Sequence, residues 1–130
     1  MSRRSPGRTE RGRRAERLAA RFLAARGYHL LARNVRLGPG EIDIIARDGE
    51  EIVFVEVRSR RAGSAIPPEA TVGRDKRRRL ADAAAQWLER SGVEGVYCRF
   101  DVVAVEMGSG TARIRHYRGA FVDEDGGVPR

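Results

Sequence analysis

Residues 40–60 of this chain read Gly-Glu-Ile-Asp-Ile-Ile-Ala-Arg-Asp-Gly-Glu-Glu-Ile-Val-Phe-Val-Glu-Val-Arg-Ser-Arg. Two runs rich in Ile, Val and Phe flank Asp48-Gly49. Such residues favour strands, and Asp-Gly between two of these runs is the strongest short-range hairpin signal. A two-residue turn at Asp48-Gly49 sets the register by counting outward: Arg47 opposite Glu50, Ile45 opposite Ile52, Asp43 opposite Phe54 and Glu41 opposite Glu56. Side chains alternate along a strand, so Glu41, Asp43, Ile45, Ile52, Phe54, Glu56 and Arg58 share one face. Ile42, Ile44, Val53, Val55 and Val57 share the other, which is a core pattern. The diagonal pair Asp43 and Glu56 is expected about 7–8 Å apart at the backbone. Any fold built on this hairpin must bury one face and carry carboxylates into the other, half-buried one.

Period and punctuation place the remaining elements. Ala15, Leu18, Ala19, Phe22 and Leu23 recur at helical spacing, which predicts a helix over residues 13–26 stopped by Gly27. Residues 28–37 read as a strand, and residues 61–68, with Gly63, Pro67 and Pro68, as a loop. A second amphipathic helix over 75–90 has Leu80, Ala83, Ala84, Trp87 and Leu88 inward and ends near Gly92. Residues 97–107 form a strongly apolar strand and 111–117 an edge strand. The order is α-β-β-β-α-β-β. The strand–helix–strand step from 50 to 107 predicts a right-handed parallel crossover, hence the α/β class with a mixed central sheet flanked by helices. Residues 1–12 lack periodicity and read as a disordered basic arm, 13–122 as one domain, and 123–130 as a frayed tail.

A chain of 130 residues is long enough to fold without a disulfide or metal staple. No apolar run approaches the ~20 residues of a membrane span, and the N-terminus lacks the apolar segment of a secretory signal. Lone Cys98 with scattered His29 and His116 makes neither an internal disulfide nor a zinc site. The expectation is a soluble cytoplasmic protein without a membrane partner. Its charge is uneven: the formal +8 divides into +9 over residues 1–36 and −1 over the rest. A basic end on a near-neutral body is the footprint of a nucleic-acid binder, or else a solvated tail. Of the 26 basic residues only Lys76 is a lysine.

Like charges converging on a half-buried patch are destabilising and persist when a cation joins them. Oxygen ligands from Glu41, Asp43 and Glu56 suit Mg²⁺ or Mn²⁺, with no soft donor to favour another metal. The plainer alternative sends Glu41 to solvent and pairs Glu56 with Arg58 or another arginine.

The hairpin sequence Gly40-Glu41-Ile42-Asp43-Ile44-Ile45-Ala46-Arg47-Asp48-Gly49, followed by Val53-Phe54-Val55-Glu56-Val57-Arg58, resembles the signature of the bacterial YraN family. The first helix, the stretch Lys76-Arg77-Arg78-Arg79-Leu80 and the run Arg99-Phe100-Asp101-Val102-Val103-Ala104-Val105 extend the resemblance over residues 12–121. That family is assigned to the restriction-endonuclease-like fold, close to archaeal Holliday-junction resolvases. The resemblance implies an α-β-β-β-α-β core, the order already read from periodicity. It makes Asp43 and Glu56 the acids of the nuclease motif's two strands, and Glu16 the helix-borne acid that resolvase-like members add. It also implies a homodimer.

On a helical wheel Glu16 lies within about 20° of Leu23, so it faces the sheet, or else pairs with Arg13 or Arg17. The chain departs from the motif at Arg58, where lysine is usual. Arginine stays protonated and cannot act as a base, though it can grip a phosphate bidentately. Arg58 therefore marks either a coding preference for arginine or a scaffold that binds without cutting.

The functional expectation is a divalent-metal-dependent DNA endonuclease acting on branched or single-stranded DNA. Asp43, Glu56, Arg58 and Glu16 would carry catalysis, and Asp43, Glu56, Glu16 and Glu41 the metal. Arg13, Arg14, Arg74, Lys76, Arg77 and Arg78 would contact phosphates. The rival is a non-catalytic nucleic-acid-binding protein on the same fold.

Overall fold

Five strands make one sheet in the order β1-β2-β3-β4-β5, with a helix on each face. The elements of this computed structural model are α1 (Glu10–Ala25), β1 (His29–Leu37), β2 (Gly40–Asp48), β3 (Glu51–Arg61), α2 (Arg74–Ser91), β4 (Cys98–Met107) and β5 (Ala112–Phe121). Residues 9–63 and 72–121 are described. The arm through residue 8, most of the loop expected over 61–68, residue 122 and the tail expected over 123–130 lie outside the described residues. The β3–β4 pair is parallel and the other three pairs are antiparallel, so the sheet is mixed and the fold is α/β with the expected α-β-β-β-α-β core.

Helix α1 starts three residues earlier than periodicity alone suggests, taking Glu10, Arg11 and Gly12 from the expected arm. The reason is local: the Thr9 hydroxyl accepts from the Gly12 N–H at 2.9 Å and satisfies one of the helix's orphan donors. Strand β5 runs to Phe121, four residues past the expected end, because Phe100 of β4 pairs with Phe121 and the two rings stack at 5.0 Å.

The hairpin register differs from the count made on Asp48-Gly49. Asp48 pairs with Glu51 and Arg47 with Ile52, so the turn residues are Gly49 and Glu50. A turn centred on Asp48-Gly49 of the type favoured by Asp-Gly needs positive φ at both residues. Here Gly49 has φ 63° and, among the described residues, the only non-glycine with positive φ is Asn34. A glycine at the first central position is the alternative hairpin turn, and it costs no strain. The shift moves each strand by one residue, so the facing parity survives. Ile45, Ile52 and Phe54 pack beneath α2, whereas Ile44, Ala46, Val53 and Val55 pack beneath α1. Ile42, expected with Ile44, belongs instead to the α2-side cluster, at a point where β2–β3 pairing has already ended.

Helix α1 buries Ala15, Glu16, Ala19, Ala20 and Leu23 on its side of the sheet. Helix α2 buries Leu80, Ala81, Ala83, Ala84 and Leu88 on the other. A Cβ on Gly40 would fall 2.5 Å from the Arg79 carbonyl oxygen and 3.1 Å from the Ala83 Cβ. Only glycine lets α2 lie this close to β2, and this approach sets where the first turns of α2 stand over the hairpin. None of the described helices is long and apolar enough to cross a membrane.

Candidate active-site cleft

The last printed pair between β2 and β3 is Ile44 with Val55; one step on, where Asp43 faces Glu56, the ladder stops. Asp43 takes over the backbone's role there: its Oδ2 accepts from the Val57 N–H at 2.8 Å. A carboxylate thus stands in for a ladder carbonyl, which satisfies the buried donor and fixes the Asp43 side chain. Glu56, 4% exposed, is buried beside it. Its Oε2 pairs with Lys76 Nζ at 2.5 Å and with Arg58 Nη1 at 3.1 Å. Both cations meet the same oxygen, and Oε1 takes part in neither contact.

Lys76 reaches Glu56 because α2 lies over β2 and β1, and the close approach at Gly40 holds its first turns against the end of the hairpin. Asp43, Glu56, Glu41, Lys76, Arg79, Leu80, Pro39 and Gly40 line one cleft of about 190 Å³. Arg79 makes no ion pair among the described residues. The N-terminal turns of α2 carry Arg74, Lys76, Arg77 and Arg78 with only Asp75 to complement the helix dipole. Cations at a helix N-terminus are unfavourable by a few tenths of a kcal/mol up to about 1 kcal/mol each, so local helix energetics do not explain them.

The structure therefore brings together Asp43, Glu56, Glu41 and Arg58, as the hairpin argument expects, and adds Lys76. Sequence reading placed Lys76 among the phosphate contacts rather than on an acid. Its signal was available: it is the single lysine in an arginine chain. Arg74, Arg77 and Arg78 share its end of α2. Glu16 does not join this group. It is 3% exposed, as the helical wheel predicts, but it sits on α1 against the opposite face of the sheet. Arg13 and Arg14 share that helix, and Arg13 pairs with Glu10 at 2.8 Å.

Of the four acids expected to serve one or two metal ions, Glu41, Asp43 and Glu56 line the cleft and Glu16 does not, and among the described residues no three of His, Cys, Asp and Glu are grouped to hold a metal. Asp43 and Glu56 remain as a facing pair. That number suffices for Mg²⁺, which is commonly held by one or two carboxylates plus water and substrate phosphate. The donors are oxygens, one Glu56 oxygen lies outside both ion pairs, and the pocket already draws positive charge, so these residues fit a hard divalent cation.

A second polar cluster, unmarked by sequence reading, lies on the α1 side. Asp101, fully buried, accepts from Arg99 Nε at 3.0 Å, from His116 Nε2 at 2.7 Å and from the Gly119 N–H at 2.9 Å. An ionised carboxylate only accepts, so His116 carries its hydrogen on Nε2. Burial opposes ionisation of Asp101, but the hydrogen bonds from His116, Gly119 and Arg99 outweigh it and hold the carboxyl below its ordinary range. Arg99 also reaches Glu51 at 2.7 Å, Asp48 at 3.0 Å and the Tyr28 hydroxyl at 2.6 Å. Cys98 is buried and free, its thiol pushed up to about 11 chiefly by that burial.

The sequence model of the uncharacterised protein family UPF0102 matches residues 15–105. A UPF0102 protein of Anaeromyxobacter dehalogenans is 51% identical over 121 residues, covering 92% of this chain and 89% of that one. One from Symbiobacterium thermophilum is 50% identical over 111 residues, covering 85% and 94%. One from Geobacter sulfurreducens is 44% identical over 111 residues, covering 85% and 87%. The solved structure of Pyrococcus furiosus SfsA in complex with Ca²⁺ aligns with 92% of this chain and 63% of that one at 14% identity. Its TM-score of 0.34 is too low to carry an argument.

Proposed function

This chain belongs to the UPF0102 family, the YraN family of the hairpin motif, and from its cleft we propose that it is a divalent-metal-dependent nuclease acting on DNA in the cytoplasm. The observation that carries the reading is Glu56: a buried carboxylate facing Asp43 in an open cleft, among Lys76, Arg58 and Arg79. Acids for a cation beside cations for a phosphate is the arrangement phosphodiester hydrolysis requires.

Asp43 and Glu56 would hold Mg²⁺ or Mn²⁺, with Glu41 at the rim. The ion, when bound, supplies Lewis-acid activation of water and of the scissile phosphate. The chain's own residues do the rest. Asp43 keeps the end of the hairpin rigid through Val57. Arg58 and Arg79 offer guanidinium groups for phosphate oxygens, bidentate where the geometry allows. Arg74, Arg77 and Arg78 extend the positive surface along the first turns of α2. The +9 of residues 1–36 adds attraction that falls with salt and carries no base specificity. Branched, duplex and single-stranded DNA are the substrates to compare, and the resolvase resemblance adds a homodimer to the reading.

The test is Mn²⁺ titration by calorimetry together with incubation on labelled branched, duplex and single-stranded DNA. Wild type should bind the ion and cut at least one structure, while Glu56→Gln should do neither. A second reading, a binding module on the same fold, is favoured by the double ion pair that already neutralises Glu56. Wild type that binds DNA and Mn²⁺ yet leaves every structure intact would select it.

A further inference from the structure

Glu56 is neutralised by two cations of different kinds and origins. Arg58 lies two residues along the same strand, so its position follows from β3 itself. Lys76 arrives from α2, and among the described residues its ion pair is with Glu56 alone. Its side chain is 36% exposed, so the head group can withdraw to water without unpacking the core. The residue type is also specific. In a chain with 25 arginines, the only lysine is the one whose head group touches this buried acid. The two types differ as partners: a guanidinium is a planar fork that clamps a carboxylate bidentately, whereas an ammonium is a compact point charge on a flexible stem.

We propose that Lys76 is the built-in counter-ion of the cleft. Its ammonium holds the Glu56 carboxylate while no divalent cation is present, leaves Oε2 when Mg²⁺ or Mn²⁺ arrives, and then serves an incoming phosphate. The exchange is one of ion pairs; no bond is made or broken. It offsets the cost of a buried acid in the metal-free protein, and a point charge fills the position in a way that a cation of higher charge density displaces. An arginine here would clamp Glu56 and Arg58 would add a second fork, leaving the ion two fixed competitors. The inference rests on the metal-dependent reading above and concerns only how the site is kept before loading.

The test measures Mn²⁺ affinity by calorimetry, without DNA, for wild type, Lys76→Gln and Lys76→Arg, alongside the melting temperature with and without Mn²⁺. Removing a competing, partly exposed ion pair should tighten Mn²⁺ binding roughly two- to fivefold in Lys76→Gln. Lys76→Arg should weaken it. A merely structural lysine would give the opposite sign, since losing it would loosen the cleft. Should Lys76→Gln melt early, Lys76→Met keeps the stem and removes the charge.

Equal or weaker binding in Lys76→Gln, with wild type still binding, would overturn the proposal and leave the metal-dependent reading standing. Binding by Lys76→Gln but not by wild type would overturn it as well, since the ammonium would then block the ion rather than yield to it. No binding in any variant would overturn both the proposal and that reading.

Discussion

Glu56 and Asp101 are both buried carboxylates, on opposite faces of one sheet and on neighbouring strands. Asp101 is enclosed by donors that cannot leave: a backbone N–H from β5, a histidine wedged edge-on against Phe22 and Tyr28, and an arginine whose other hydrogen bonds tie down Glu51, Asp48 and Tyr28. Glu56 is answered only by the tips of two half-exposed side chains, both on one oxygen, at the wall of a cleft. Burial alone therefore does not mark a functional acid. A buried acid whose every donor is fixed serves as a structural pin, joining β4 to β5 and to the β2–β3 hairpin. One whose partners are long and solvent-reaching is arranged to exchange them.

The comparison predicts unequal costs. Asp101→Ala removes the buried acceptor of Arg99 Nε, the His116 ring and the Gly119 N–H and should cost about 3–5 kcal/mol. Urea unfolding at neutral pH checks it; a loss below about 1 kcal/mol would remove the distinction between the two sites. The same pin should be acid-sensitive. Because the carboxyl of folded Asp101 is held below its ordinary value, its stabilisation is fully present above about pH 4 and drains as pH falls through the depressed value. The advantage of wild type over Asp101→Asn should therefore shrink below about pH 4, measured by melting temperature across a pH series.

A smaller cost falls on the cleft's frame. Gly40→Ala puts a methyl group against the Arg79 carbonyl and should cost about 1–3 kcal/mol. It should also tighten Mn²⁺ binding slightly by lifting the competing Lys76 away from Glu56, which calorimetry would report. The smallest stability change belongs to Glu56→Gln, within about 1 kcal/mol, since its partners return to water. If Glu56→Gln instead destabilised as much as Asp101→Ala, the cleft acid would be a second pin and the exchange argument would fail.

The faces of the hairpin were legible in residues 41–58 because side-chain alternation is local. Even with the turn at Gly49-Glu50 rather than Asp48-Gly49, Asp43 and Glu56 keep one face and Val53 and Val55 the other. The inward placement of Glu16 was legible for the same reason, through helical period. What periodicity cannot carry is which face of the sheet each helix covers. That choice depends on contacts between residues far apart in the chain, such as Gly40 under Arg79, and it separated Glu16 from Asp43 while bringing Lys76 to Glu56. The Asp101 pin was equally hidden, since Tyr28, Asp48, Arg99 and His116 share no local pattern. The sequence by itself determined the strands, their faces and the acids they carry. Tertiary packing decided which cations answer those acids, because an ion pair across elements is set by where whole helices dock.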